Sequence, residues 1–336
     1  MSLFSRMLAG ALALATVTAS ALPTQAQNIT VGLSLPEKIE GFDFVNGMYQ
    51  TFAKHVEANS GMKVNLVYGG ALGNPNDRLA QMRRGAIQMT DAADGNYASI
   101  YSDIMILNTP YLFPSEQSAW KMLDGPFGQA MAEDLRQKTG IRVLGWWESG
   151  GFKHLSAKRA IQKPTDMAGL KMRVLGPLAT IPVEAMGASA SPIAFGELYT
   201  SLRTGVVDGQ DNSVATFNLL KLYEVQSHLA MTGHVYAFGP LGISDAFFSS
   251  LSPANQKVIQ DAGAAAIAFN RKASRELEAA AIDRAQKAGV TIVRLNDEQR
   301  DAFRKVMQPV ALTWLRSNVA TPKLIDDAFA AVQAAK

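Results

Sequence analysis

The chain has 336 residues, of which 32 are Lys or Arg, 29 are Asp or Glu and none is Cys, and its formal net charge is +3. This near-neutral charge, with acids and bases interspersed along the predicted helices, argues against a nucleic-acid-binding domain, which would carry a concentrated basic stripe. The lack of Cys excludes disulfides, a thiolate nucleophile and a thiolate zinc site. The length exceeds one comfortable hydrophobic core, so the sequence predicts two domains or lobes.

Residues 1–26 have the features of a secretory signal peptide. Arg6 supplies the positive flank, the apolar run LAGALALATVTASAL follows it, and the residues TQA at 24–26 form a small-residue cleavage site. We therefore predict a mature chain that starts at Gln27 and is located in the periplasm. The apolar run is shorter than the ~20 residues of a spanning helix, and no later segment is apolar enough to span a bilayer.

Apolar runs rich in β-branched residues alternate with helical patterns along the rest of the chain. The strand-like runs are NITVGLSL, MKVNLVYGG, IRVLGWW and VTIVRL. Apolar residues at near-helical spacing predict a helix from Asp43 to about Ser60, and the glycines that follow the second run indicate a turn. Ser252, followed by Pro253 and an alanine-rich run, predicts a long helix from 252 to about 288. The alternation is typical of an α/β fold with parallel strands.

Motifs for metal binding and for the commonest enzyme classes are missing. No two of the four histidines have the i, i+4 spacing of a metal-binding helix. The sequence also lacks the G-x-S-x-G, G-x-x-x-x-G-K-[ST] and H-E-x-x-H signatures. We therefore predict no metal, no cofactor and no catalytic residue.

Seven phrases spread over nearly the whole chain carry a resemblance to a known family. They are GGALGNPNDRLAQMRRGAIQM (69–89), LNTPYLF (107–113), WKMLDGPFG (120–128), VLGWWESGGFKHLS (143–156), KRAIQKPTDMAGLKMRV (158–174), FGELYTSLRTGVVDGQDN (195–212) and KLYEVQSHLAMTGHVY (221–236). In these phrases the sequence resembles the periplasmic solute-binding proteins of TRAP (tripartite ATP-independent periplasmic) transporters, the DctP family. The resemblance implies an α/β, two-lobed periplasmic-binding-protein fold, with a ligand cleft between the lobes and a long helix that spans both.

The same resemblance implies that each lobe is discontinuous in sequence. Lobe I is expected to comprise 27–150 plus about 238–277, and lobe II 151–237 plus about 278–336. No low-complexity linker interrupts the chain, so several crossovers rather than one tether should join the lobes. Hinge-like closure around a ligand follows from such an arrangement.

Arg173 is the first candidate for ligand binding. It lies between Met172 and Val174 in a short strand-like run, where a guanidinium either forms a structural salt bridge or binds a ligand carboxylate with two parallel hydrogen bonds. The resemblance favours the second alternative, because KMRV matches the family segment whose arginine binds the substrate carboxylate. Asn212, in DGQDN, matches an asparagine that holds the same end of the ligand.

Three further candidates come from the second lobe or from the strand that leads into it. Phe195 matches an aromatic residue of the pocket wall, although an ordinary core phenylalanine fits the sequence equally well. Lys153 lies where sialic-acid-binding members have a second arginine; a lysine keeps the charge but lacks the planar fork, which weakens a sialic-acid assignment. Trp147 is expected to supply an apolar wall.

Glu148 follows the tryptophan pair at a position where the family often contacts ligand hydroxyls. A buried glutamate near an anion is repulsive unless it meets hydroxyls or a cation, and a surface glutamate is an equal alternative. From the first lobe, Ser34 aligns with a polar residue that contacts ligand after the first strand. Asp94, in ADGNY, falls near another contact loop.

The resemblance implies a protein that captures a small organic acid, such as a sugar acid or a hydroxy or keto acid, and delivers it to the integral-membrane subunits of a TRAP transporter. Such a protein performs no bond chemistry, does not span the membrane and binds no nucleic acid. Two alternatives stay open from the sequence. One is a receptor for a different transporter or a sensor; the other is an enzyme that uses Glu148 and His154 as acid and base.

Overall fold

The computed structural model describes residues 28–38, 43–193 and 195–335. The predicted signal peptide, residues 1–26, lies outside these ranges. No helix in the described part of the chain is long and apolar enough to cross a membrane.

Nine strands of the described chain form one twisted sheet that passes through both lobes. The strands are β1 (Asn28–Gly32), β2 (Lys63–Val67), β3 (Met89–Thr90), β4 (Ile141–Ala157), β5 (Lys171–Val174), β6 (Ser189–Pro192), β7 (Gly209–Ser213), β8 (His228–Ser244) and β9 (Thr291–Arg294). Their order is β2-β1-β3-β8-β4-β7-β5-β6, and β9 pairs with β8. The long strands β4 and β8 therefore join a first-lobe sheet to a second-lobe sheet.

The helices of the described chain pack against the sheet and against one another. They are α1 (Asp43–Asn59), α2 (Pro75–Arg83), α3 (Asp94–Tyr97), α4 (Glu116–Asp124), α5 (Pro126–Thr139), α6 (Pro177–Ala185), α7 (Leu198–Thr204), α8 (Val214–Leu219), α9 (Asp245–Ser250), α10 (Pro253–Lys287), α11 (Asp297–Asn318) and α12 (Lys323–Ala334).

The α/β class and the two-lobed architecture are as predicted, but the expectation of parallel strands is wrong for the strands between the lobes. β1 pairs in parallel with β2 and β3, as β5 does with β6 and β7. In contrast, β4 is antiparallel to both β7 and β8. Two 17-residue strands that cross between the lobes in opposite directions pair along their length without a crossover helix. The apolar run IRVLGWW is only the first part of β4.

The two helices predicted from local signals are confirmed. α1 ends at Asn59, two residues before Gly61. α10 has 35 residues, and the hydroxyl oxygen of Ser252 accepts a hydrogen bond from the Asn255 backbone N–H at 3.3 Å, as an N-cap does. Helix α10 packs against α1 and β4 on the first-lobe side and against α8 and β9 further along, so it spans both lobes.

The turn predicted after the second strand-like run is also present. β2 ends at Val67, and Gly69, Gly70 and Gly73 all adopt positive φ angles of 69°, 69° and 97°. Side chains with a Cβ atom rarely adopt this backbone conformation, whereas glycine does so without steric cost.

Separate hydrophobic clusters stabilise the two lobes. In the first lobe, Ile29, Val31 and Phe52 pack under α10, whereas Met172 and Phe303 belong to a second-lobe cluster. The last helix, α12, packs against α4 and α5, which are elements of the predicted lobe I. The lobe boundaries given above stay a prediction.

Candidate ligand-binding site

A cavity of about 360 Å³ lies where elements of both lobes meet. The first-lobe side contributes the α3 segment and Asn76; β4, β7 and β8 contribute the floor; and α6 with the loop before it forms the second-lobe wall. Its size lies at the lower end of the range typical of small-molecule sites, roughly 300–1,000 Å³. Most of the second-lobe wall is apolar, whereas the floor and the first-lobe side carry the polar groups.

Lys153, Asp211 and His234 form a cluster of ionisable side chains on the cavity floor. Asp211 is paired with Leu155 across β4 and β7, so Lys153, two residues from Leu155, lies on the same face of the sheet. The Nε2 atom of His234 lies 3.6 Å from Oδ2 of Asp211. Burial raises the pKa of Asp211, but the adjacent His234 imidazole and the charges of Lys153 and Arg173 outweigh it and hold the pKa at about 2. Asp211 is therefore ionised at neutral pH.

The first-lobe side of the cavity presents amides and one carboxylate. Asp94 is 9% exposed, and its Oδ2 accepts a hydrogen bond from Nδ2 of Asn108 at 2.6 Å. Nδ2 of Asn96 donates to Oδ1 of Asn76 at 3.1 Å. The Oδ1 atom of Asn108 is buried and has no hydrogen-bond partner among the described residues.

Arg173 is almost fully buried, with 2% of its surface exposed, at the end of β5 that leads into the cavity wall. Its Nε donates to the backbone oxygen of Ile193 at 3.0 Å, whereas its Nη2 is buried without a partner among the described residues. Burial lowers the pKa of Arg173, and the charge of Asp211 opposes the shift. Arg173 thus has a free donor and no ion pair within 4 Å among the described side chains.

Asn212 and Phe195 lie in second-lobe segments that neighbour β5 or the partner of Arg173. Nδ2 of Asn212 donates to Oε1 of Gln210 at 2.5 Å, and Gln210 is paired with Arg173 in the sheet. Phe195 begins a short 3-10 turn and is 41% exposed, which is unusual for a phenylalanine.

Ser34 belongs to a buried polar network in the first lobe. Its Oγ donates to Oδ1 of Asp91 at 3.0 Å and accepts from Nη2 of Arg78 at 2.6 Å. Arg78 also forms an ion pair with Asp91 at 2.6 Å, bonds to Thr90 at 2.8 Å and donates to the backbone oxygen of Gly73. This network fixes the loops after β1 and β2.

Glu148 and Trp147 lie in β4 on the first-lobe side. The Glu148 carboxylate is fully buried and accepts hydrogen bonds from Tyr236 at 2.9 Å, from Ser274 at 2.6 Å and from the guanidinium of Arg275 on α10. The glutamate thus meets a cation of the protein. Trp147 is 3% exposed and packs in the first-lobe core, where its Nε1 has no partner among the described residues.

The structure brings two of the eight predicted site residues, Lys153 and Asp94, to the wall of the cavity. Arg173 lies beside the cavity, within electrostatic range of Asp211. The remaining predicted residues, Asn212, Phe195, Glu148, Trp147 and Ser34, are absent from the described lining.

Sequence reasoning missed Asp211 and His234, although both stand in the phrases DGQDN and TGHVY that it had singled out. The alternation of side chains along β7 was the available signal, since it separates Asp211 from Asn212 on opposite faces. His154 lies outside the cavity lining; its Nδ1 accepts a hydrogen bond from the Gly233 backbone N–H at 3.0 Å.

Two lobes joined by long antiparallel strands, with a largely apolar cavity that carries a few polar groups between them, are typical of a periplasmic-type solute-binding protein. Residues 43–317 match the family described as bacterial extracellular solute-binding protein, family 7 (DctP). The chain belongs to this family. The alternative of an enzyme with Glu148 and His154 as acid and base is not supported, because the family is one of solute-binding proteins.

The relatives are similar over most of their length. A solute-binding protein of Verminephrobacter eiseniae is 34% identical over 264 residues, which are 77% of this chain and 78% of the relative. A TRAP periplasmic solute-binding protein from Ochrobactrum anthropi, solved with its C-terminus in the ligand-binding pocket, superimposes with a TM-score of 0.85, at 32% identity over 92% of this chain and 96% of the other. The sugar-acid-binding protein DctPAm from Advenella mimigardefordensis, solved with galactonate, gives a TM-score of 0.83 at 30% identity over 93% and 99%.

Proposed function

We propose that this protein captures a small organic acid and that Arg173 binds the carboxylate. The observation that carries the proposal is the Nη2 group of Arg173, a buried guanidinium donor without a partner among the described residues. A buried cation is unfavourable unless it is paired and hydrogen-bonded, and burial already lowers the pKa of this arginine. A ligand carboxylate supplies both the charge and the acceptor.

The ligands of two relatives support this proposal. The Advenella relative was solved with galactonate, which is a carboxylate, and a relative from Escherichia coli is named a 2,3-diketo-L-gulonate-binding periplasmic protein. The E. coli relative is 31% identical over 243 residues, or 72% of this chain.

The other predicted site residues either contact the ligand or hold the elements that form the site. Lys153 provides a second positive charge near the carboxylate, and the exposed Phe195 covers it when the lobes close. Asn212 supports the same end of the ligand through Gln210, the partner of Arg173 in the sheet. Asp94 contacts the opposite end. Ser34, Glu148 and Trp147 act through the first-lobe elements that they hold in place, because their described partners are protein groups.

The ligand-bound, closed form delivers the acid to the membrane subunits of a TRAP transporter. Closure requires that the ligand bind the closed form more tightly than the open form. The protein acts in the periplasm after removal of residues 1–26.

Calorimetric titration with a panel of mono- and dicarboxylates, sugar acids, keto acids and neutral sugars tests the proposal. An acid should bind the wild-type protein, and Arg173→Ala should weaken its binding at least about 30-fold, because truncation of a desolvated, charge-paired arginine typically costs about 2–5 kcal/mol. Arg203→Ala is the matched control, since Arg203 is exposed in the same lobe and stacks on Tyr199 at 5.8 Å. Binding of neutral solutes alone, or equal affinity in the Arg173 variant, would overturn the proposal.

A further inference from the structure

The charges around the cavity are distributed unevenly between its two ends. Lys153 is the one lysine or arginine among the described lining residues, and it lies on the floor strand β4. The ionised Asp211 on β7 and the nearby Arg173 share this end of the cavity, so two cations outnumber one carboxylate there. The first-lobe end has Asp94 together with the amides of Asn76, Asn96 and Asn108. A carboxylate placed at the first-lobe end would therefore face Asp94.

Asp94 is fixed in an orientation that leaves one oxygen without a donor. Asn108 donates to Oδ2 at 2.6 Å, whereas Oδ1 accepts no hydrogen bond from the described residues. Asn108 in turn has a buried Oδ1 without a partner there. Of these two acceptors, Oδ1 of Asn108 is the buried one, and a buried acceptor without a donor is unfavourable. Both oxygens can accept a hydrogen bond from a ligand hydroxyl.

The first-lobe arginine closest in sequence to these loops is not available to neutralise a second carboxylate. Arg78 is 1% exposed, and its guanidinium nitrogens are bonded to Thr90, Gly73, Ser34 and Asp91. Its charge is balanced within the protein by Asp91, at 2.6 Å.

From these observations we infer that the ligand is a polyhydroxy monocarboxylate. Its carboxylate lies at the Arg173 and Lys153 end, its hydroxyls donate to Asp94 and Asn108, and Asp94 rejects acids with a second carboxylate at the far end. Rejection by an unpaired like charge is a common source of specificity, because it raises the free energy of the wrong complex without affecting the right one. The inference rests on the proposed function and adds the substrate class and the residue that selects it.

Four six-carbon acids separate the contribution of the hydroxyls from that of the second carboxylate. Hexanoate has one carboxylate and adipate has two, and neither has hydroxyls. Gluconate has one carboxylate and glucarate has two, and both have hydroxyls. In calorimetric titrations of the wild-type protein, gluconate should bind at least tenfold more tightly than hexanoate and than glucarate. Asp94→Asn should reduce the preference for gluconate over glucarate at least tenfold, since it removes the charge and keeps the shape.

Asp261→Asn is the control, because Asp261 is an exposed acid on α10 that pairs with Lys257. It should leave the preference unchanged. The inference is overturned if glucarate or hexanoate binds the wild-type protein as tightly as gluconate, or if Asp94→Asn leaves the preference as it was. Tighter binding of 6-amino-6-deoxygluconate than of gluconate would also overturn it, by showing that Asp94 accepts an ammonium group rather than hydroxyls.

The outcome for Arg173 distinguishes failure of the inference from failure of the proposed function. If a different acid binds and loses affinity in Arg173→Ala, while gluconate does not bind, the proposed function holds and the inference fails. If gluconate binds Arg173→Ala as tightly as it binds the wild-type protein, the proposed function fails as well.

Discussion

The guanidinium of Arg275 on α10 binds the fully buried carboxylate of Glu148 on β4, although 127 residues separate the two in sequence. Ser274 and Tyr236 complete the set of donors around this carboxylate. The pair attaches the long helix to one of the two strands that pass between the lobes.

Glu148→Gln should therefore reduce stability rather than ligand affinity. We expect a loss of about 1–3 kcal/mol in the free energy of unfolding. This is less than for a typical broken buried pair, because Arg275 is 25% exposed and keeps its ion pairs with Glu116 and Glu278. Urea denaturation measures the loss. Glu276→Gln, which breaks an exposed pair with Lys272 on the same helix, should change stability by less than about 0.5 kcal/mol. Weaker ligand binding at unchanged stability would instead favour a direct contact between Glu148 and the ligand.

Removing one charge from the buried pair of Arg78 and Asp91 should destabilise the protein more than Glu148→Gln does. Their side chains are 1% and 4% exposed, so Asp91→Asn leaves a buried guanidinium without its counter-charge, at a cost of about 3–5 kcal/mol. The double variant Arg78→Met/Asp91→Leu removes both charges and should recover most of this loss. Urea midpoints of the two variants provide the comparison. A double variant less stable than Asp91→Asn would contradict the charge argument.

The sequence predicted those parts of the fold that depend on local signals. α1 and α10 were found because apolar spacing, an N-cap serine and Pro253 act within one helix. The antiparallel pairing of β4 and β8 was missed, because pairing depends on partners far along the chain, as Trp147 and Gly239 show. The same reason applies to the site. Lys153 could be singled out because its position matches that of an arginine in family members, whereas the group that it forms with Asp211 and His234 exists only after β4, β7 and β8 assemble.

His154 should make stability depend on pH. Burial, with a smaller contribution from the nearby His234 charge, lowers the pKa of His154 to about 3, against about 6.5 in the unfolded chain. Between these pH values the unfolded chain holds the additional proton, so acidification in this range favours unfolding. The contribution of His154 should fall by about 1 kcal/mol per pH unit from pH 6.5 downwards.

Urea denaturation of His154→Gln between pH 4 and pH 7 tests this expectation, because a glutamine can accept the Gly233 hydrogen bond but does not titrate. The slope of stability against pH should flatten in this variant. His55→Gln, at a half-buried position of α1, is the matched control for the change of residue type. Equal slopes in the wild-type protein and His154→Gln would show that the imidazole is already solvated in the folded state.

The contact between Gly239 and Trp147 should not tolerate an added methyl group. The two residues are partners across β4 and β8, and a Cβ on Gly239 would lie 2.5 Å from the Nε1 and Cε2 atoms of the indole ring. Because the ring is buried in the first-lobe core, it cannot move without disturbing its neighbours. We expect Gly239→Ala to cost about 1–3 kcal/mol in unfolding free energy and to shift the tryptophan fluorescence, whereas Gly61→Ala, with no heavy atom within 4 Å of its Cβ, should do neither. Wild-type stability in Gly239→Ala would show that Trp147 has free space beside it.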